Sequence, residues 1–535
     1  AQPDRKLLVR GTESRTLNAF DSVSEEAAVT VPSQARRRIA IIGSGFSGLC
    51  LGIKLKEAGI HDFTIYEKED RVGGTWRDNS YPGAACDLPS MAYCFSFEQK
   101  TDWSRKWSPQ PEIQEYMEHC ARKYGLLPHV RFRTEIASAA FDESAGVWRL
   151  ATASGEQIEA EVLVCAVGQL NRPYVPEIPG LESFAGECFH SARWNHAYDL
   201  GGKRVAVIGN AASAIQFIPE IAREVGRLSV FQRSANWLLP RNDRSYSERE
   251  KWLFANVPGL AKLYRWWIWL SFEIRFPAFL GNRFIAEQTR RFAEQYIRDV
   301  VPDPKMRAAL VPDYPVGGKR ILISDDYYQA LVRPNVELET SGIDHVESDG
   351  IVTQDGVKHA CDALVFATGF ESTRFLAPMR ITGRGGRSLD DDWREGARAY
   401  RGITVSGYPN LFLMYGPNTN LGHNSIIFMI ECQTGYILQA IRTLIDRDLA
   451  FLDVKPEVQQ AFDTQTQREL SRTVWARTPH SWYKTESGRI TNNWSGTTTR
   501  YWWGTRRFDV ESYASVARAA ISARPAGERN AADAA

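Results

Sequence analysis

With 535 residues, 43% of them hydrophobic and 24% charged, the chain has the apolar material for two or three folded domains and the balance of a soluble globular protein. Lys and Arg number 65 against 64 Asp and Glu, so the net charge of +1 supplies no global field for nucleic acid or an anionic membrane. The 8 cysteines contain no CxxC pair; they read as reduced, buried thiols of a cytoplasmic protein and argue against a dithiol flavoprotein reductase.

Residues 1–35 mix charge with Ser and Thr, show no period, and lack the basic start and apolar core of a secretory signal; they read as an arm outside the folded domains. The first strong signal is the β-branched run Ile39-Ala-Ile-Ile42, followed by Gly43, Gly45, Phe46 and Gly48 at the head of a helical segment. Gly43 permits the turn, Gly45 leaves room for a pyrophosphate, and Gly48 lets helix and strand pack closely. A second strand, Phe63-Thr-Ile-Tyr66, ends at Glu67, where a carboxylate can accept hydrogen bonds from a ribose diol. Dense Gly and Pro in Arg71-Val-Gly-Gly74-Thr75-Trp76 and Tyr81-Pro-Gly-Ala-Ala-Cys-Asp87 imply irregular backbone lining a ligand site.

An amphipathic helix is predicted from near Pro111 to Gly125, then a β-meander over 132–164 with turns at Gly146 and Gly155. The strand Val162-Leu-Val-Cys165, running on to Gln169, closes this block. Arg204-Val-Ala-Val-Ile-Gly209 repeats the opening theme, with Ala211 and Ala214 at the second and third glycine positions and Ser213 in the turn. The next strand runs into Gln232-Arg233-Ser234, and an arginine there suits a 2′-phosphate, so NADPH is expected over NADH.

Residues 243–313 are rich in Trp, Arg and helix formers, including Tyr264-Arg-Trp-Trp-Ile-Trp-Leu270, and read as a helical insertion whose aromatic stripe is packing rather than a cofactor box, or a lid that shapes a substrate pocket. Its most hydrophobic part, 263–280, carries Arg265, Glu273 and Arg275 and is a poor bilayer span. The second unit is expected to resume at Lys319-Arg320-Ile-Leu-Ile323 and end in Ala363-Leu-Val-Phe-Ala-Thr-Gly-Phe370. Tyr408-Pro-Asn-Leu-Phe-Leu-Met414 reads as a buried strand returning to the first domain, and from 471 the tryptophans among Gly, Thr and Arg suggest a loop-rich wrap. The fold class is therefore α/β with two Rossmann-like dinucleotide-binding domains: an arm (1–35), the first domain (36–170), the second (171–375, with the insertion at about 243–313), the rest of the first (376–520) and a tail (521–535). His61, His119, His190, His196 and His423 lack ligand spacing, so no metal site is expected.

Two dinucleotide sites in one chain point to electron transfer from a nicotinamide to a flavin. Phe184-Ala-Gly186-Glu-Cys-Phe-His190-Ser-Ala-Arg-Trp194-Asn195, lying between them, resembles the FxGxxxHxxxW fingerprint of type I Baeyer-Villiger monooxygenases, which usually closes with Pro or Asp where Asn195 stands. The likeness extends through Gly73-Gly74-Thr75-Trp76, the 81–87 loop, Lys319-Arg320, the end of the 363–370 strand and Ser481-Trp482-Tyr483, spanning about 36–510. It implies noncovalent FAD reduced by NADPH, a C4a-peroxyflavin formed with O2, and attack on a small-molecule ketone to give an ester or lactone. It also implies that Arg320 is the fixed cation beside the developing negative charge and that Asp87 orients it. By the same resemblance Gly74, Thr75 and Trp76 belong to the flavin site, Lys319 and Arg233 hold the 2′-phosphate, Gln169 and Trp482 seat the nicotinamide, and His190 with Trp194 couples domain movement to cofactor position. Rival readings are a flavin monooxygenase oxidising nitrogen or sulfur, and a redox sensor that binds nucleotides without turnover. No membrane span and no nucleic-acid partner are expected, and a monomer is compatible with the sequence.

Overall fold

The computed structural model describes residues 37–479 and 481–522. The expected arm at 1–35 and most of the tail at 521–535 lie outside the described residues. Two five-stranded sheets organise the rest. In the first, Ile39–Ile42 is central, flanked by Phe63–Tyr66 and Val162–Cys165, with Val130–Arg131 and Leu411–Leu413 at the edges, all parallel. In the second, Arg204–Ile208 is central between Arg227–Phe231 and Ala363–Phe366, with Val336–Glu339 and Glu187–His190 at the edges, again all parallel.

These strands are short and apolar because both faces are covered. Ile39 and Ile41 enter one core with Ile53, Ile65, Val164 and Ile437, whereas Ala40 and Ile42 enter another with Trp148, Leu163 and Leu413. Val205 and Val207 pack on Phe217 and Ile218 of helix Ala214–Ile221, while Ala206 and Ile208 face Phe231, Ile351 and Leu364. In each sheet the central strand has its sequence-adjacent partner on one side and a distant one on the other. The carboxyl ends of Ile39–Ile42 and Arg204–Ile208 are thus topological switch points, where open α/β sheets bind ligands.

The meander forms as Ile136–Asp142, Val147–Thr152 and Gln157–Ala160, with Gly146 and Gly155 at positive φ in the turns; Val162–Cys165 then leaves it for the parallel sheet. Leu322–Ile323 departs from expectation: it pairs with Leu238–Leu239 as a separate two-stranded unit and does not rejoin the five-stranded sheet. Between these two strands run helices Glu248–Asn256, Leu260–Glu273, Arg283–Val300 and Pro304–Ala309. Beyond 471 the chain is more regular than a wrap, because Thr498–Thr505 packs on the long helix Ile426–Asp446 and Tyr513–Ala517 pairs with Leu449–Val454. The cysteines are all free; contrary to the reading as buried thiols, Cys188 is exposed, since it stands on the edge strand of the second sheet.

Candidate functional site

The first glycine turn is built as its residue types require. Gly43 has φ +101° and donates its N–H to Tyr66 O at 2.8 Å; a side chain on it would meet Ala166 O at 2.7 Å. A Cβ on Gly48 would stand 2.0 Å from Gly43 O, whereas one on Gly45 would meet nothing nearer than Gly74 Cα at 3.9 Å. Helix Phe46–Glu57 starts at Gly45 without a side-chain cap, so its first N–H groups keep their hydrogen-bonding capacity for a ligand. Gly74 (φ +53°) opens the short helix Thr75–Asp78 over this turn, with Thr75 exposed and Trp76 donating to the Tyr93 hydroxyl at 3.0 Å. The ring of Phe46 is committed to the core, against Tyr93, Phe95 and Tyr116.

Glu67 is buried, and its carboxylate is already fully engaged. One oxygen accepts from the Ser44 amide at 3.0 Å and hydroxyl at 2.6 Å. The other accepts from the Glu69 amide at 3.1 Å and faces Arg77 at 3.1 Å. All four lone-pair positions are used, so any further donor to this carboxylate would have to displace a bond already made. Arg77, which the sequence reading missed, is the countercharge that allows a carboxylate to be buried here.

Arg320 donates from Nε to Asp87 Oδ2 at 2.6 Å, and its Nη2 lies 2.6 Å from the same oxygen. Both side chains are about one-third exposed, 37% and 31%. The charge of Asp87, above all, holds the Arg320 proton more firmly than usual, against the burial that opposes it. Tyr415 and Tyr483 lie within electrostatic range of Arg320. Tyr93, which accepts the Trp76 indole N–H and packs against Phe46, is kept protonated chiefly by its burial. The 81–87 loop itself rests on the second unit: Tyr81 donates to Gln216 Oε1 at 2.9 Å, and Gln216 Nε2 donates to Ala85 O at 3.0 Å.

A polar network joins the crossings between the two units. Gln169 Nε2 donates to Tyr415 O at 2.9 Å, Asn492 Nδ2 to Gln169 Oε1 at 3.3 Å and to Ser372 O at 3.2 Å, and Ser372 Oγ to Trp482 O at 2.8 Å. Asn492 carried no motif, so sequence reasoning had no means of finding it.

The second turn repeats the first. Gly209 has φ +107°, donates to Phe231 O at 3.0 Å, and would meet Ala367 O at 2.5 Å if it bore a side chain. Ser213 accepts a hydrogen bond from the Ser191 hydroxyl at 3.1 Å, so the fingerprint segment touches this turn. Lys319 Nζ donates to Ser234 Oγ at 3.0 Å and lies over the Tyr314 ring at 4.5 Å. Burial, then the charge of Arg233, makes its ammonium easier to deprotonate. Arg233 is exposed, and neither cation enters a salt bridge among the described residues.

In the fingerprint, a Cβ on Gly186 would collide with Asp362 O at 2.4 Å and with the ring of Phe184, which packs in the core behind the second sheet. Trp194 wedges between Phe189 and Phe217. His190 pairs in register with Phe366, accepts the Ala192 N–H on Nδ1 at 3.1 Å, and is held neutral by burial, its pKa pushed down to about 4. Asn195 donates to Glu187 at 2.7 Å, a local anchor for the departure from the usual pattern. Among the described residues no cluster of His, Cys, Asp and Glu is arranged to hold a metal ion.

Two glycine-turn units facing one bridging loop define a two-dinucleotide α/β protein. Residues 36–378 match the Flavin-binding monooxygenase-like family, and the chain belongs to it. A Baeyer-Villiger monooxygenase of Pseudomonas aeruginosa is 44% identical over 485 residues, covering 90% of this chain and 92% of its own. Among solved structures, an oxidised steroid monooxygenase bound to NADP superposes with a TM-score of 0.81 at 30% identity, covering 90% of this chain and 100% of that one. OTEMO in complex with FAD and NADP gives 0.81 at 26% identity, covering 90% and 99%.

Proposed function

We propose that the chain is an FAD- and NADPH-dependent Baeyer-Villiger monooxygenase that inserts one oxygen atom of O2 beside a ketone carbonyl, giving an ester or lactone. The observation that carries this reading is the Arg320–Asp87 pair, a guanidinium kept charged and held in one direction by its carboxylate partner.

The residues fit both cofactors. The uncapped helix start at Gly45, with open space where a side chain would stand, suits a pyrophosphate. The cations Lys319, bonded to the Ser234 hydroxyl, and Arg233, exposed beside it in sequence, enter no salt bridge among the described residues and suit the 2′-phosphate of NADPH. When bound, FAD supplies the redox chemistry, taking a hydride from NADPH and activating O2.

The protein's share is positioning and charge. Arg320 stays protonated throughout, so it stabilises anionic oxygen near it without quenching it by proton donation. Asp87 fixes the direction of the guanidinium with two contacts to one carboxylate oxygen. Gln169, tied to the Tyr415 carbonyl and to Asn492, and Trp482, tied to Ser372, form the wall assigned to the nicotinamide end. His190, its pKa brought down to about 4 by burial, is neutral at working pH and accepts the Ala192 N–H. An enzyme oxidising nitrogen or sulfur would share the cofactors but leave Arg320 without a developing anion to stabilise.

Turnover of cyclic, linear and aromatic ketones with NADPH under 18O2 tests the reading. One labelled oxygen in an ester or lactone product is expected. NADPH oxidation that yields only peroxide from every ketone, with oxygenated product from an amine or sulfide, contradicts it.

A further inference from the structure

Helix Leu260–Glu273 has one face anchored and one bare. On the anchored side Ala261 and Ile268 are buried, Arg265 donates to Cys94 O at 2.8 Å, and Trp269 donates to Thr498 Oγ1 at 2.9 Å. On the other side Leu263 is 60% exposed, Trp266 47%, Trp267 58% and, just past the helix, Ile274 66%. Their spacing of three to four residues sets them in one stripe, and Trp252, 60% exposed, lies on the neighbouring helix Glu248–Asn256. Trp267 stacks on Tyr264, yet Trp266 and Trp267 both keep about half of their surface open, more than packing of the aromatic run predicts. Nine of the sixteen large hydrophobic side chains exposed among the described residues fall between 252 and 292, so the apolar surface is concentrated here and not scattered.

Charge on this surface is one-sided. Between 252 and 292 the acidic residues are Glu273, which is buried, and Glu287, which is paired with Arg290 and Arg291, while Lys262, Arg275 and Arg283 are exposed. We infer that this face docks on an anionic lipid bilayer, with the tryptophan rings at headgroup depth, Leu263 and Ile274 at the acyl boundary, and the basic side chains toward lipid phosphates. The near-zero net charge of the whole chain does not oppose this, because the attraction is local and falls off within about 10 Å. Contact is at the surface, since among the described residues no helix is long and apolar enough to cross a membrane. A two-fold contact with a second copy fits less well: it would bring the exposed cations of this face against their own copies.

Vesicle flotation of the full, FAD-loaded chain tests this with phosphatidylcholine alone and with one-third phosphatidylglycerol. The chain is expected to float with the phosphatidylglycerol vesicles at low salt and to release at high salt. Replacing Lys262 and Arg275 by Glu should weaken that binding about fivefold or more per residue. The triple change Leu263→Ser, Trp266→Ser and Trp267→Ser should weaken it more than about tenfold while flavin content and circular dichroism stay unchanged. No flotation with either vesicle, or flotation unaltered in the triple variant, overturns the proposal. A dimer in sedimentation that the triple variant abolishes, without vesicle binding, overturns it in favour of a second copy.

Discussion

At the scale of single residues, the site turns on how few of its charges are neutralised. Arg320 has a single carboxylate partner, Asp87, and the contact fixes its direction while strengthening its hold on the proton. Lys319 and Arg233 have none within salt-bridge distance among the described residues, and burial, then the charge of Arg233, makes the Lys319 ammonium easier to deprotonate. Uncompensated cations side by side cost free energy unless an anion arrives. Replacing Arg233 by Ala is therefore expected to raise the KM for NADPH about tenfold or more, the worth of one charge-assisted hydrogen bond, and to leave NADH nearly unaffected. Equal losses with both nucleotides, read from steady-state kinetics, would place the 2′-phosphate elsewhere.

At the scale of elements, the two glycine turns separate residues that build the turn from residues that leave space. Gly48 cannot take a methyl without driving it into Gly43 O at 2.0 Å, whereas Gly45 can, its nearest neighbour being 3.9 Å away. Gly48→Ala is expected to lower yield and thermal midpoint, and Gly45→Ala to fold normally but retain little FAD after desalting. A normally flavinated Gly45→Ala protein would remove the pyrophosphate from that position.

The inserted helix Leu260–Glu273 is held by its last residue. Glu273 accepts from Thr498 Oγ1 at 2.8 Å, Thr499 N at 2.9 Å and Asn424 Nδ2 at 3.0 Å, with His423 Nε2 at 3.4 Å. Burial pushes its pKa up, but the nearby His423 ring and bonds from Thr499 and Thr498 outweigh this and bring it down to about 2. The carboxylate therefore contributes fully above its unfolded value of about 4.3, and that contribution is lost as pH falls toward the folded value of about 2. Glu273→Ala should cost about 1–3 kcal/mol locally, visible at neutral pH as faster hydrogen exchange over 260–273; exchange unchanged there would mean that the helix is held by other contacts.

At the scale of the whole molecule, the two parallel sheets were legible because each central strand is a β-branched run that ends in a glycine obliged to adopt positive φ. The pairing of Arg320 with Asp87 followed only from the family resemblance, since nothing local in Lys319-Arg320 distinguishes it from a solvated strand start. Other parts could not be read. Asn492, Tyr81 and Gln216 join segments more than 100 residues apart, and a polar side chain's distant partner leaves no periodic trace. The placement of Leu322–Ile323 in its own pair was hidden for the same reason: an apolar run announces burial but not its neighbour. The Tyr81–Gln216 contact matters because the loop that carries Asp87 belongs by sequence to the first unit yet rests on the helix of the second, so the charge pair stands where both meet.

The central claim is that Arg320 converts a flavin-binding cleft into one that oxygenates ketones. It is tested most directly by comparing Arg320→Ala with the parent protein for flavin content, rate of flavin reduction by NADPH, and ester formed per NADPH consumed. Flavin content should match that of the parent while ester formation disappears, with NADPH spent on peroxide. Ester formed at the parental ratio by the alanine variant would contradict the account.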